Sequence, residues 1–107
     1  MKKTLVLISL FIAGVVNASG SVDFLEVENG IVTFSTTDAK VAISPACVDP
    51  GNAKLWTLSL NSESGRANYS MLVTALSNNL AVNVESAEDC AYTPGVERAR
   101  RLWFASN

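Results

Sequence analysis

The sequence contains no histidine, and its 107 residues include only two cysteines and three prolines. The absence of histidine removes the commonest general base and the commonest nitrogen ligand for metal ions. The chain also has no G-x-S-x-G nucleophile motif, no glycine-rich phosphate loop and no cysteines at metal-ligand spacing. We therefore expect a non-enzymatic protein with no metal site and no cofactor.

Basic side chains are also scarce beyond the first residues of the chain. Once Lys2 and Lys3 are set aside, six basic residues remain against ten acidic ones. Nucleic-acid binding requires a basic surface that neutralises phosphates. The charge balance therefore predicts that nucleic acid is not a partner.

The first twenty residues, MKKTLVLISLFIAGVVNASG, have the organisation of a secretory signal peptide. Two lysines precede an apolar run over residues 4–16, and the sequence Val-Asn-Ala then supplies tolerated residues at −3 and −1 of a cleavage site. Cleavage is expected between Ala18 and Ser19. The apolar run is short for a transmembrane helix, although an uncleaved anchor is the alternative. We expect a signal peptide over 1–18 and a single exported domain over 19–107, periplasmic or secreted, with no integral membrane segment after cleavage.

The two cysteines, Cys47 and Cys90, both lie in the expected mature domain. In an oxidising compartment a pair of cysteines is by default a disulfide, and only one intramolecular pairing is possible here. The alternatives are an intermolecular bridge and a redox pair, but the cysteines lack the C-x-x-C spacing of a redox motif. A bridge that closes a loop of this length contributes roughly 4 kcal/mol to stability on chain-entropy arithmetic.

The dipeptide Asn29-Gly30 is the clearest local structural signal. Both residues tolerate positive φ, which predicts a type I′ hairpin between strands over about 22–28 and 31–36. This register places four apolar side chains on one face of the ribbon, namely Leu25, Val27, Val32 and Phe34. A slip of one residue would destroy that segregation.

Four further segments have the period or composition of strands. They are Lys40–Ser44, Leu55–Leu60, Leu80–Ser86 and Val96–Phe104. In the first of these, Val41 and Ile43 are expected to point inward, as is Leu80 in the third. In the last, the apolar residues change parity, and a bulge near Arg100 would reconcile the two halves at a position that the pattern does not fix.

One segment between these strands has helical periodicity. The stripe expected to face the core consists of Tyr69, Leu72, Val73 and Leu76. Ser62 or Ser64 can cap the start of the helix, and Asn78-Asn79 suits its end, because asparagine tolerates the left-handed conformation. A helix of about four turns is predicted.

The resulting order is mainly β with one helix, β-β-β-α-β-β. Three strands, a helix and two strands is the order of an OB-like five-stranded Greek-key barrel, here stapled by one disulfide. In such a barrel the helix plugs one open end, and the disulfide joins the loop before the third strand to the loop before the fifth. The alternative is an open α+β antiparallel sheet with one packed helix.

A spaced pattern across the middle of the chain resembles known exported proteins. The pattern consists of Cys47, Trp56–Leu60, Gly65–Leu72, Ala75, Val82–Val84 and Cys90. It resembles small uncharacterised secreted bacterial proteins and, more distantly, the OB-fold B subunits of AB5-type toxins of the subtilase-cytotoxin and pertussis-like groups. The likeness covers about half of the mature chain and consists mostly of core and cysteine positions. It implies a ring-forming, glycan-binding module without assigning a sugar-binding residue.

The only basic cluster lies near the C-terminus, in a segment that also carries aromatic residues. Its candidate ligand-binding residues are Tyr92, Arg98, Arg100, Arg101 and Trp103. Arginine pairs with carboxylates through two hydrogen bonds and an aromatic ring stacks on the apolar face of a sugar, so the cluster suits a sialylated or otherwise anionic glycan. The alternative is an edge strand that its charges protect from aggregation.

These observations predict an exported binding module for an unidentified glycan or protein ligand. The toxin-like resemblance implies a homo-oligomeric ring built through heterologous interfaces. The alternative is a periplasmic or secreted inhibitor or envelope protein that acts through protein–protein contacts, by a sheet edge or a loop.

Overall fold

The computed structural model describes residues 16–41 and 43–105. Residues 1–15, which hold most of the predicted signal peptide, lie outside the described residues. The described elements are β1 (Ala18–Glu28), β2 (Ile31–Thr36), β3 (Trp56–Ser59), α1 (Glu63–Asn78), β4 (Ala81–Ser86) and β5 (Glu97–Phe104), with a 3₁₀ turn at Pro50–Asn52. Among these residues no helix has the length and apolarity that crossing a membrane requires.

The five strands form one closed ring in the order β1-β2-β3-β5-β4. All neighbouring strands are antiparallel except β3 and β5, which are parallel. The eleven residues of β1 allow it to close the ring, because its first half pairs with β4 and its second half with β2. The mainly β fold with one helix is confirmed, and the strand order with the helix between β3 and β4 is that of the predicted OB-type barrel.

The β1–β2 hairpin has the predicted register. Leu25 pairs with Phe34 and Val27 with Val32, and both turn residues have positive φ, 52° and 77°. Val32 and Phe34 are fully buried and Leu25 packs against the core. Val27, expected on the same apolar face, is 45% exposed although its partner Val32 is fully buried.

The predicted bulge in the last strand lies at Arg100. Pairing with β4 passes from Arg101 to Ala99, so Arg100 is the extra residue that no β4 residue opposes. The bulge returns both Ala99 and Leu102 to the interior, where each is buried. A mixed run of charged and apolar residues therefore forms one strand with a single inner face.

The strand predicted over Lys40–Ser44 is wrong for the residues that the structure describes there, and Ala42 lies outside them. Val41 and Ile43, expected to point inward, are 76% and 98% exposed. The reason is that Lys40 itself turns inward and donates to Glu97 at 2.8 Å. Because the Lys40 side chain points inward, Val41 and Ile43 are left in solvent.

The bounds of α1 match the prediction, but the face that it buries does not. Ser62 caps the helix by accepting from the Gly65 N–H at 2.9 Å, and Asn79 ends it in the left-handed conformation. The buried residues are Gly65, Asn68, Leu72 and Ala75. Of the predicted stripe, Val73 and Leu76 are 40% and 51% exposed.

A close approach of the helix to β3 explains the shifted face. A Cβ atom on Gly65 would lie 1.7 Å from the Ser59 carbonyl oxygen, so only glycine permits this contact. The helix therefore rests on the barrel through small residues and Leu72, and it has no room to bury a wide apolar stripe. Leu80, expected to point inward, precedes β4 and is exposed, because its N–H completes the helix end on the Ala75 carbonyl.

The predicted disulfide is confirmed between Cys47 and Cys90. It joins the loop before β3 to the loop before β5, as expected. The same two loops are also joined by a backbone hydrogen bond of 3.0 Å from the Asp49 N–H to the Gly95 carbonyl. The residues on either side of Cys90 are thereby held against the end of the barrel.

The predicted cleavage site falls inside β1. Ala18 is buried in the core, and the N–H of Asn17 donates to the Val84 carbonyl at 2.7 Å. The side-chain oxygen of Asn17 accepts from the Ser86 N–H, also at 2.7 Å. Cleavage between Ala18 and Ser19 would remove these contacts from the barrel.

Candidate functional site

The five candidate ligand-binding residues do not form a single cluster. The bulge at Arg100 divides them into two groups. Tyr92, Arg98 and Arg100 line a pocket between β5 and the start of α1. Arg101 and Trp103 lie on the other side of the bulge, on the outer face that β5 shares with β4.

Arg101 packs on Trp103 and forms its ion pair with Glu85. The Arg101 guanidinium lies 4.5 Å from the centre of the Trp103 ring, and its Nε donates to Glu85 Oε1 at 2.7 Å. Arg101 therefore covers the ring while Glu85 balances its charge. An exposed pair of this kind contributes at most about 1 kcal/mol. The edge-strand alternative is wrong, because β5 has a neighbouring strand on each side.

The pocket on the other side of the bulge has a volume of about 170 Å³. We call it the β5 pocket and define it by Ser62, Ser64, Asn68, Tyr92, Arg98 and Arg100. β5 supplies the two arginines, α1 and its cap supply the serines and the asparagine, and the loop after Cys90 supplies the tyrosine. Three elements that are distant in sequence thus meet around a polar cavity.

Arg98 is fully paired along one edge of its guanidinium. Its Nε and Nη2 donate to the two carboxylate oxygens of Asp89 at 2.8 and 2.7 Å. The Tyr92 ring lies 5.4 Å from the same guanidinium. The hydrogen bond from Arg98 holds the pKa of Asp89 below its usual value, and Asp89 in turn raises the pKa of Arg98. The charge of Arg98 is therefore balanced within the protein.

Arg100 differs from both neighbouring arginines. It is exposed, and within residues 16–41 and 43–105 it has no ion-pair partner. As the extra residue of the bulge, it also has no opposing side chain on β4. Arg100 is therefore the cation of the β5 pocket that a ligand can use without displacing an internal partner.

Asn68 is the polar residue of the pocket that the helix buries. The residue is 8% exposed, but its amide atoms are not buried without a partner, because Trp56 Nε1 is the one such side-chain atom among the described residues. The Asn68 side chain thus lines the β5 pocket with donor and acceptor groups that remain available to an occupant.

The start of α1 adds backbone donors to the same pocket. The Ser62 side chain satisfies the Gly65 N–H and its carbonyl satisfies the Arg66 N–H. The N–H groups of Glu63 and Ser64 have no intrahelical partner, as at any helix N-terminus. The positive end of the helix dipole therefore points toward the pocket that Arg100 and Asn68 line.

The donors of the β5 pocket favour a polar ligand that carries negative charge. Among the described residues, no group of three or more histidine, cysteine, aspartate or glutamate side chains could hold a metal ion. Asn68 and the helix start were missed by sequence reasoning, which ranked the helix faces by apolarity alone. The polar Asn68 three residues after Gly65 was the available signal, since that spacing places both on one face.

A second buried polar group lies at the other end of β3. Lys40 Nζ contacts Glu97 Oε1 at 2.8 Å and the Leu55 carbonyl at 2.9 Å, and it lies 4.0 Å above the Trp56 ring. Ser86 donates to the other carboxylate oxygen of Glu97. Burial lowers the pKa of Lys40, although Glu97 acts in the opposite direction. The carboxylate thus engages both Ser86 and Lys40, and the group serves to close the barrel.

The chain matches no protein-family model, no curated protein and no solved structure. Its fold class therefore rests on its own strand order and register. The chemistry of the β5 pocket remains as the guide to function.

Proposed function

We propose that this protein is an exported, non-enzymatic binding module that takes an anionic glycan in the β5 pocket. The observation that carries the proposal is the Arg100 guanidinium, which has no ion-pair partner among the described residues and shares its pocket with the Asn68 amide. A ligand in this pocket can both accept a hydrogen bond from the Asn68 amide and donate one to it. The same ligand gains a charge-assisted hydrogen bond if its negative group reaches Arg100.

The remaining walls of the pocket support a sugar acid as the ligand. Tyr92 stands at the rim with its ring partly exposed, where an apolar sugar face can stack. The helix N-terminus and Arg100 favour a carboxylate over a neutral group. A volume of about 170 Å³ suits one monosaccharide-sized group and excludes a folded protein segment.

The proposed location outside the cytoplasm has two supports. The first is the N-terminal sequence, with its two lysines and apolar run. The second is the Cys47–Cys90 disulfide, because such bonds persist in oxidising compartments. Whether the protein stays in the periplasm or is secreted is a matter for fractionation.

The likeness to toxin B subunits adds a proposal about assembly. A B-subunit-like protein is expected to form a closed ring of identical chains. Size exclusion with light scattering on the oxidised protein tests this directly. A ring-sized mass supports the B-subunit reading, whereas a monomer favours the alternative of an inhibitor or envelope protein that acts through protein contacts.

The binding proposal is tested by titrating N-acetylneuraminic acid, glucuronic acid and neutral glucose into the oxidised protein, followed by amide NMR shifts. We expect the acids to bind and glucose to bind much more weakly. Arg100→Gln should weaken binding of the acids about tenfold, the value of one charge-assisted hydrogen bond.

Lys54→Gln provides the matched control for this variant. Lys54 is an exposed cation that does not line the β5 pocket, so its loss removes the same charge at another place. Equal effects of the two substitutions would show that only net charge matters. Absence of binding by all the sugar acids would overturn the proposed function.

A further inference from the structure

The Asp89 carboxylate already occupies one arginine of the β5 pocket. Both its oxygens accept from Arg98, at 2.8 and 2.7 Å, in the parallel arrangement that arginine uses to recognise carboxylates. We infer that Asp89 is an internal competitor that a carboxylated ligand displaces from Arg98. This inference rests on the proposed function and names how the same site is regulated.

The pair is accessible enough for such an exchange. The side chains of Arg98 and Asp89 are 30% and 43% exposed, in contrast to the buried pair of Lys40 and Glu97. Exposed ion pairs are only weakly stabilising, so a second carboxylate can compete for the guanidinium. Arg98 also lines the β5 pocket, whereas Asp89 does not.

Release of the Asp89 side chain does not require the loop to open. The backbone carbonyl of Asp89 accepts from the Arg98 N–H at 2.8 Å, and the Ala87 N–H donates to the Arg98 carbonyl at 3.0 Å. The neighbouring Cys90 is bonded to Cys47. A rotation about the side-chain bonds of Asp89 therefore frees Arg98 while the loop stays in place.

We expect Asp89 to lower the affinity of the pocket for carboxylated sugars and to increase its preference for them over neutral sugars. The ligand must replace two charge-assisted hydrogen bonds, which a planar carboxylate does and a neutral hydroxyl does not. The competitor thereby disfavours neutral sugars at Arg98. Removal of the competitor should make carboxylated sugars bind more tightly.

The test is Asp89→Asn with N-acetylneuraminic acid and glucuronic acid as probes. We expect the dissociation constant to fall about three- to fivefold, the equivalent of one exposed ion pair. Glu85→Gln is the matched control, because it removes a carboxylate from Arg101, an arginine of the same strand that does not line the pocket. An equal gain in the control, or no gain in Asp89→Asn, overturns the inference.

A second measurement needs no substitution. The Ala91 N–H donates to Asp89 Oδ1 at 3.1 Å, so displacement of Asp89 by ligand should shift the Ala91 amide resonance in the wild-type protein. If the ligand shifts the amide resonances of Arg100 and Asn68 but not that of Ala91, Asp89 is not displaced. That result overturns the inference about Asp89 and leaves the proposed function intact. If neither the wild-type protein nor Asp89→Asn binds a carboxylated sugar, the proposed function itself fails.

Discussion

The two ends of the barrel are closed by opposite chemistry, and β3 connects them. At its first residue, Trp56 lies beneath the ammonium group of Lys40, which is paired with Glu97. At its last residue, the Ser59 carbonyl lies against Gly65 in the first turn of α1. One end is therefore sealed by a buried ion pair and the other by a helix that packs through small and apolar residues.

The comparison shows why the pocket lies at the helix end. The ion pair is closed on itself, because both oxygens of Glu97 already have partners. The helix end instead combines a narrow packing face with the Asn68 amide in an open pocket and with free backbone donors. At the Lys40 end the polar groups are already hydrogen-bonded to one another, so few donors or acceptors remain for a ligand. At the helix end the first N–H groups of α1 remain free to donate.

The largest effect is expected when the ion pair is broken on one side. Glu97→Gln leaves Lys40 charged and buried, which should lower the free energy of unfolding by about 3–5 kcal/mol. The double variant Lys40→Met/Glu97→Gln removes the stranded charge and should recover much of the loss. Urea unfolding of the three proteins measures both steps, and a double variant as unstable as the single one would contradict this account.

The loss in Glu97→Gln should depend on pH in a defined direction. Burial lowers the pKa of Lys40 from 10.5, and removal of Glu97 takes away the groups that oppose this shift. Below 10.5 the unfolded chain then binds more protons than the folded one, so stability rises with pH. The deficit of the variant should therefore shrink as the pH rises toward 10.5.

A smaller loss is expected at the helix end. Leu72→Ala removes a fully buried side chain and should lower the free energy of unfolding by about 3 kcal/mol. Leu76→Ala is the matched control on the same helix, because Leu76 is half-exposed, and it should cost less than about 1 kcal/mol. Similar losses in the two variants would mean that the helix buries the stripe predicted from sequence.

The smallest effect concerns the exposed pair of Asp89 and Arg98. Since Arg98 lowers the pKa of Asp89, the pair stabilises the fold above the unfolded value of 3.8, and this contribution is lost as the pH falls below it. Solvent screening limits the change to less than about 1 kcal/mol. Unfolding of wild type and Asp89→Asn between acidic and neutral pH measures it, and a difference that grows on acidification would have the wrong sign.

Features carried by local pattern were predictable from the sequence. The Asn-Gly turn and the alternation around it determine the pairing of Leu25 with Phe34, and the change of parity around Arg100 indicates the bulge. The disulfide follows from a count of two cysteines in a chain that its first residues predict to be exported. Each of these signals is contained within a short segment or in composition.

Features that depend on distant partners were not predictable. Lys40 turns inward because of Glu97, which is 57 positions away, and a buried lysine has no local signature. The helix face follows from the approach of Gly65 to Ser59, which hydropathy does not register. Three of the five predicted residues, Tyr92, Arg98 and Arg100, line one pocket, but Asn68 was not predicted, because its place there depends on how α1 packs on the barrel.

The contacts of Ala18, the first residue of β1, and of Asn17, which precedes it, have a consequence for cleavage of the predicted leader. In the folded barrel these residues are hydrogen-bonded to β4 and Ala18 is buried, so a peptidase could not reach the bond between Ala18 and Ser19. Removal of a leader at that bond must therefore precede the pairing of β1 with β4. If the predicted leader is cleaved there, processing and barrel closure compete in time for the same short segment, and the faster of the two decides which N-terminus the folded chain carries.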